Sequence, residues 1–161
     1  MTIEELAERV LPLLRRRGQT LATAESLTGG GVGAVLTAVP GSSESYCGGV
    51  VSYTDDVKHR VLGVPAEVLE TFGAVSAQTA DAMAEGVKTL CGADWGISTT
   101  GLAGPGGDGS GKPVGLVYTA VSGSAGTETF SHRFSGSREE VRRQSCRAVL
   151  EELLEKLEET T

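Results

Sequence analysis

The sequence predicts an α/β fold: a three-layer α/β/α domain over residues 1–161, built on a mixed, mostly parallel sheet of about five strands. Three observations carry this. Short apolar runs alternate with helix-periodic segments through the first part of the chain, which is the pattern of crossover connections in a parallel sheet. Two later apolar runs flank Gly123-Ser124-Ala125-Gly126, as the arms of a hairpin do. Glycine supplies 23 of the 161 residues and aromatic residues only 4%, so many positions are given to tight backbone turns.

Each element follows from a local signal. Ile3, Leu6, Ala7, Val10, Leu13 and Leu14 recur at helical spacing, and Gly18 stops that helix after three arginines. TLATAES reads as a strand running into Ser26, and TGGGVGAVLTAV as a helix opening near Thr28 and ended by Pro40-Gly41. CGGVVSY reads as a second buried strand closed by Tyr53. TDDVKHRVLG is a short helix capped by Thr54 or Asp55, and VPAEVLETFG a helix with Pro65 in its first turn. Ser76 caps a longer helix whose stripe is Ala80, Met83, Ala84, Val87 and Leu90. DWGISTTG is a strand, and GLAGPGGDGSGKP a thirteen-residue loop with no secondary-structure signal, the kind that folds over a site. VGLVYTAVSG and TETFSHRFSG pair as strands, and a helix from Ser137 to about Glu158 closes the chain.

Composition narrows the function. A net charge of −7 leaves no excess of positive charge to displace phosphate counterions, so nucleic acid is not the expected partner. The apolar runs fall far short of the ~20 residues that span a bilayer, so no membrane role is expected. Cys47, Cys91 and Cys146 are odd in number and widely spaced, which fits neither a disulfide framework nor a zinc site. The N-terminal helix has no signal-peptide character, and a cytoplasmic protein is expected. Glu151, Glu152, Glu155, Glu158 and Glu159 read as a solvated helix face.

Two phosphate-binding patterns match in letters only. Gly104 to Gly109 spells GxGxxG and Gly106 to Lys112 spells GxxxxGK, but a strand follows where a helix is required, and Pro113 stands where a P-loop needs Ser or Thr. His132, between Phe130 and Phe134, reads as a satisfied, partly buried histidine, and His59 as a solvent-facing one. Ser26 is the strongest nucleophile candidate, since the carboxyl edge of a parallel strand opens into the usual ligand crevice. An N-cap serine occupies the same setting. Tyr53 and Lys58 can share that edge, and a buried lysine can serve as the base of a serine–lysine pair. A core tyrosine and a solvated lysine are the plain alternative.

Together, TAESLTGG, GGVVSYTDDVK, GAVS, TTGLAGPGG, KPVGLVY and FSGSREEVRRQ resemble the CinA C-terminal domain family, linked with nicotinamide-nucleotide amidohydrolase. The resemblance runs from about Leu6 to Leu154. It implies a stand-alone amidase form, without the pyrophosphatase-type N-terminal domain of longer members. It also implies that Ser26, in the AES-x-TGG motif, is the nucleophile and that Tyr53 and Lys58, in Y-x-x-x-x-K, are its partners. The same resemblance places Thr100 and Gly101 at the site and Arg138 and Arg142 near the ligand. The implied reaction converts nicotinamide mononucleotide and water to nicotinic acid mononucleotide and ammonia, in pyridine nucleotide recycling. Gly29 and Gly30 are expected to supply oxyanion-hole N–H groups, one of the arginines to bind the substrate phosphate, and no metal or organic cofactor to be needed. The alternative is a competence- or stress-associated binding module with weak or no amidase activity. A homodimer is expected, as in related folds. Leu27 and Ser137 depart from the Cys and Asp that many members carry, and altered packing is expected there.

Overall fold

Residues 1–160 are described by a computed structural model. The chain runs α1 (Ile3–Arg17), β1 (Leu21–Glu25), α2 (Gly31–Thr37), a 3-10 turn (Ser42–Glu44), β2 (Tyr46–Val51), α3 (Asp55–Arg60), α4 (Ala66–Phe72), α5 (Ala77–Cys91), β3 (Trp95–Gly101), β4 (Leu116–Gly123), β5 (Gly126–Arg133) and α6 (Arg138–Glu159). The five strands form one mixed sheet in the order β2-β1-β3-β4-β5. β1 pairs in parallel with β2 and β3, and the last two pairings are antiparallel, so every strand except β4 runs the same way.

Alternation along β1 divides its side chains between the two faces. Leu21 joins the core made with α1, α2 and α6, whereas Ala22 and Ala24 join the core under α5 with Met83 and Val87. Small residues on the second face let α5 lie close, and Ser98 Oγ donates to the Ala80 carbonyl across that contact at 2.6 Å. Capping is strong at the two longest helices of the first face. Thr2 with Glu5 and Ser137 with Glu140 form reciprocal capping boxes at α1 and α6, and Gly18 closes α1 in the left-handed region at φ 63°.

Several expectations need correction. Leu11, not Leu13, completes the buried stripe of α1, and Leu90 is 54% exposed although its neighbour Cys91 packs against the core under α5. β2 is not buried on both faces: as an edge strand its exposure alternates residue by residue, and it ends at Val51, two residues before Tyr53. α2 opens at Gly31, not near Thr28, for a reason found at the site. Glu152 leaves the solvated acidic face. It is buried, takes a hydrogen bond from Thr119 Oγ1 at 2.5 Å and lies 3.0 Å from His132 Nε2, so His132 is satisfied as expected.

The loop after β3 has neither helix nor strand, and it is tied at both ends. Arg138 donates to the Gly104 carbonyl at 2.7 Å, and Lys112 Nζ donates to the carbonyls of Phe72 and Val75, each at 2.6 Å. Among the described residues no helix is long and apolar enough to cross a membrane.

Candidate active site

β1 leads to β2 on one side and lies against β3 on the other. The carboxyl end of β1 therefore sits where successive connections diverge, which is where α/β sheets bind ligands. Ser26 is the first residue past that end. Its N–H donates to the Thr99 carbonyl at 3.1 Å, continuing the β1–β3 ladder by one bond and fixing the serine backbone to the sheet. On the other side, the Ser52 N–H donates to the Glu25 carbonyl at 2.7 Å. The residues flanking the serine are thus held by three strands.

Lys58 comes from α3, whose N-cap Thr54 accepts from the Val57 N–H. That cap sets the short helix so that Lys58 turns inward, while His59 and Arg60 stay exposed as expected for His59. Lys58 is 1% exposed and is among the largest fully buried side chains of the protein. Its Nζ is 2.9 Å from Ser26 Oγ and 2.7 Å from the Ser52 carbonyl. Both partners are neutral. Burial therefore lowers the Lys58 pKa from 10.5 to about 8, with Asp55 at the start of α3 opposing the shift only in part. An amine titrating there is neutral often enough near physiological pH to accept a proton from the serine. The plain alternative of a solvated lysine and a core tyrosine is reversed on both counts: the lysine is buried and Tyr53 is 60% exposed.

Tyr53 bonds elsewhere. Its hydroxyl accepts from Arg138 at 3.0 Å, and the same guanidinium holds Gly104, so Tyr53, Arg138 and the β3–β4 loop form one tether at the rim. Arg142 points at the turn after Ser26, donating from Nε to the Leu27 carbonyl at 3.0 Å and from an Nη to the Thr28 carbonyl at 3.3 Å. Thr100 Oγ1 donates to the Ala74 carbonyl at 2.7 Å. Gly101 ends β3, and a Cβ there would stand 2.8 Å from the Leu116 carbonyl oxygen, so only glycine permits that approach of backbones.

The expected oxyanion donors are already engaged. The Gly29 N–H donates to the Ser26 carbonyl at 3.1 Å, and the Gly30 N–H to Glu25 Oε1 at 3.2 Å. Glu25 is the residue that sequence reasoning missed. It is 3% exposed and also accepts from Thr28 Oγ1 at 2.6 Å, Val32 N–H at 2.9 Å and Gly33 N–H at 3.0 Å. Its carboxylate thereby fills the positive end of α2 and explains why the helix starts late: residues 26–30 form a separate turn, with Gly30 at φ 99° as N-cap. The signal was an acidic residue at a strand end before a threonine and three glycines.

A cleft of about 660 Å³ lies at the other end of the sheet, bounded by Arg17, Trp95 and Lys156. Volume does not mark the site; the buried amine does. Among the described residues no group of His, Cys, Asp or Glu is placed to hold a metal ion.

The CinA C-terminal domain family model matches residues 3–157. The chain belongs to that family. A CinA-like protein of Parasynechococcus marenigrum (strain WH8102) is 56% identical over 137 residues, which are 85% of this chain and 33% of the relative. Another, from Anaeromyxobacter dehalogenans (strain 2CP-1), is 49% identical over 91% of this chain and 36% of the relative. The chain thus spans about a third of the length of these curated relatives. Solved CinA structures match it end to end. The competence damage-inducible protein A (ComA) of Klebsiella pneumoniae superposes with a TM-score of 0.95 at 39% identity, covering 98% of both chains. The competence/damage inducible protein CihA of Agrobacterium tumefaciens gives 0.92 at 42% identity, covering 97% of this chain and 95% of the other. The three-layer α/β/α architecture is therefore that of the CinA C-terminal domain, with Ser26 and Lys58 at the carboxyl edge of its sheet.

Proposed function

We propose that this CinA domain is an amidohydrolase that deamidates nicotinamide mononucleotide to nicotinic acid mononucleotide and ammonia, in pyridine nucleotide recycling. The observation that carries the reading is the contact of the buried Lys58 amine with Ser26 Oγ at 2.9 Å, in surroundings that lower the lysine pKa to about 8. Binding alone does not call for a desolvated amine against a hydroxyl, whereas acyl transfer does.

In this reading the neutral amine keeps one N–H on the Ser52 carbonyl, which aims its lone pair at Ser26. As Ser26 Oγ attacks the carboxamide carbon, its proton passes to Lys58, and the carbonyl electrons move to oxygen. The tetrahedral intermediate collapses when the resulting ammonium returns a proton to the leaving nitrogen, and ammonia departs. Water, deprotonated by the same amine, then cleaves the acyl-enzyme. Arg138 and Arg142 lie beside the loop and the nucleophile turn, where a guanidinium with a free edge can pair with a phosphate. The reading places Tyr53 at the rim as a group that orients substrate or relays a proton. It includes a homodimer that works without metal or organic cofactor.

The test is ammonia release from nicotinamide mononucleotide by the wild type, Ser26→Ala and Lys58→Ala. Turnover by the wild type alone supports the reading. Equal rates in all three overturn it, and an inactive wild type favours the competence-associated binding module. Ser26-dependent turnover of another amide would keep the chemistry and replace the substrate.

A further inference from the structure

We infer that Glu25 is a positioning residue for the Ser26 reaction, and that the oxyanion is held by the N–H groups of Leu27 and Thr28 rather than by the glycines beyond them. The inference rests on the serine–lysine reading above. The backbone donors after Ser26 divide into engaged and free. The Gly29 N–H closes the turn onto the Ser26 carbonyl, the Gly30, Val32 and Gly33 N–H groups go to the Glu25 carboxylate, and the Gly31 N–H goes to the Thr28 carbonyl at 2.9 Å. Among the described residues nothing accepts from the N–H of Leu27 or of Thr28. Those two donors belong to the two residues directly after Ser26, inside the turn from 26 to 29 that carries its backbone.

Two groups grip that turn. Arg142 holds the carbonyls of Leu27 and Thr28 at 3.0 and 3.3 Å, which fixes the orientation of both peptide groups. Glu25 holds the Thr28 hydroxyl, which also meets Thr99 Oγ1 at 2.8 Å, and so pins the turn to β3. Because the same carboxylate fills the α2 terminus, a negative ligand group gains nothing there and is left to the two free N–H groups beside the nucleophile. Alternation on β1 completes the division of labour. Glu25 points to the α2 face and Ser26 to the side of Lys58, so one residue organises the backbone while its neighbour reacts.

The amide substrate is not needed for the test. A fluorophosphonate probe reacts with an activated serine: the Oγ–P bond forms, the P–F bond breaks, fluoride leaves with the electron pair, and the serine proton passes to Lys58. Charge builds on the phosphoryl oxygen, where the two N–H groups would hold it. The second-order labelling rate of Ser26, read by mass spectrometry from pH 6 to 10, is compared in the wild type, Glu25→Gln, Thr28→Val and Thr28→Ser. Glu25→Gln sets an amide N–H₂ against backbone donors, and Thr28→Val removes the hydroxyl between Glu25 and Thr99.

The expected result is a plateau rate lowered ~10–100-fold in Glu25→Gln and Thr28→Val, the scale of a misplaced oxyanion donor, with Thr28→Ser close to wild type. The midpoint should stay at about 8 in each, because Lys58 sets it. A merely structural role would instead let water reach Lys58 and move the midpoint toward 10.5. A plateau within about threefold of wild type in both slow variants, or a midpoint shift without a plateau loss, overturns the inference. If Glu25→Gln does not fold, the Thr28→Val and Thr28→Ser pair decides alone. A wild type that does not label overturns the serine–lysine reading itself, a result distinct from equal labelling of all variants.

Discussion

Two buried polar clusters in this domain are built from similar parts and come to opposite ends. At the carboxyl edge of the sheet, the Lys58 amine is enclosed by a hydroxyl and a carbonyl, both neutral. Between β4, β5 and α6, the Glu152 carboxylate is enclosed by Thr119 Oγ1 and the ring nitrogen of His132, which stacks on Phe134 with centroids 5.0 Å apart. Neither cluster leaves a buried side-chain polar atom without a hydrogen bond. The difference lies in charge. Glu152 faces a side chain that can carry the opposite charge, whereas Lys58 touches none. Hydrogen bonding can be complete while charge is uncompensated, and that remainder is what lowers the pKa of a buried lysine.

The largest expected effect breaks the reactive cluster. Ser26→Ala and Lys58→Met should each lower amidase turnover by ~10⁴-fold or more, as for nucleophile and base in other serine hydrolases, measured as ammonia release. Both variants should remain folded.

The next effect follows from the uncompensated charge. Turnover should rise with pH about a midpoint near 8, as Lys58 gives up its proton. Stability should respond in the same direction. Between about 8 and 10.5 the unfolded chain holds a proton that the folded chain has released, so folding gains as pH rises through that window. Below pH 8 both states are protonated, and the full cost of burying the ammonium remains. The whole span amounts to ~3 kcal/mol, read as denaturant midpoints against pH. Lys58→Met should abolish that rise and be more stable than the wild type at pH 7.

Smaller effects belong to the compensated cluster and to the rim. Glu152→Ala should destabilise by about 2–3 kcal/mol in thermal or chemical unfolding, because Thr119 and His132 lose their acceptor, yet leave kcat near wild type. A loss of kcat on the Lys58→Met scale would break the contrast between the clusters. Tyr53→Phe removes one hydrogen bond at an exposed site and should change kcat/KM by about threefold, at roughly 0.7 kcal/mol. A drop of hundredfold or more would instead place Tyr53 in the proton path.

Much of this was legible in the chain itself. Ser76, Thr54 and Ser137 announced their helices because capping is a local interaction, decided within three residues. The hairpin around residues 123–126 and the loop 101–113 were legible for the same reason. Strand-end position marked Ser26, the family motifs gave it and Lys58 their implied roles, and the end of β1 and the helix α3 bring the two side chains together. What escaped were decisions between distant segments. Leu90 and Val87 carry the same apolar message, and only the packing of α5 in the folded domain buries one and leaves the other exposed. Glu152 reads as one acid among five until β4 and β5 bring Thr119 and His132 to it.

The sequence by itself determined the α/β class, the order of elements and the two residues at the centre of the proposed chemistry, since periodicity, caps and motifs are written in near neighbours. Only the tertiary structure decided which donors are free and which charge is uncompensated. Glycines 29 and 30 look open in a row of letters, yet Glu25, whose carboxylate folds back over the turn, takes the N–H of Gly30 and caps the helix behind it. The lysine pKa falls for the same physical reason. Desolvation depends on what surrounds an atom in space, and the sequence does not say what will surround it.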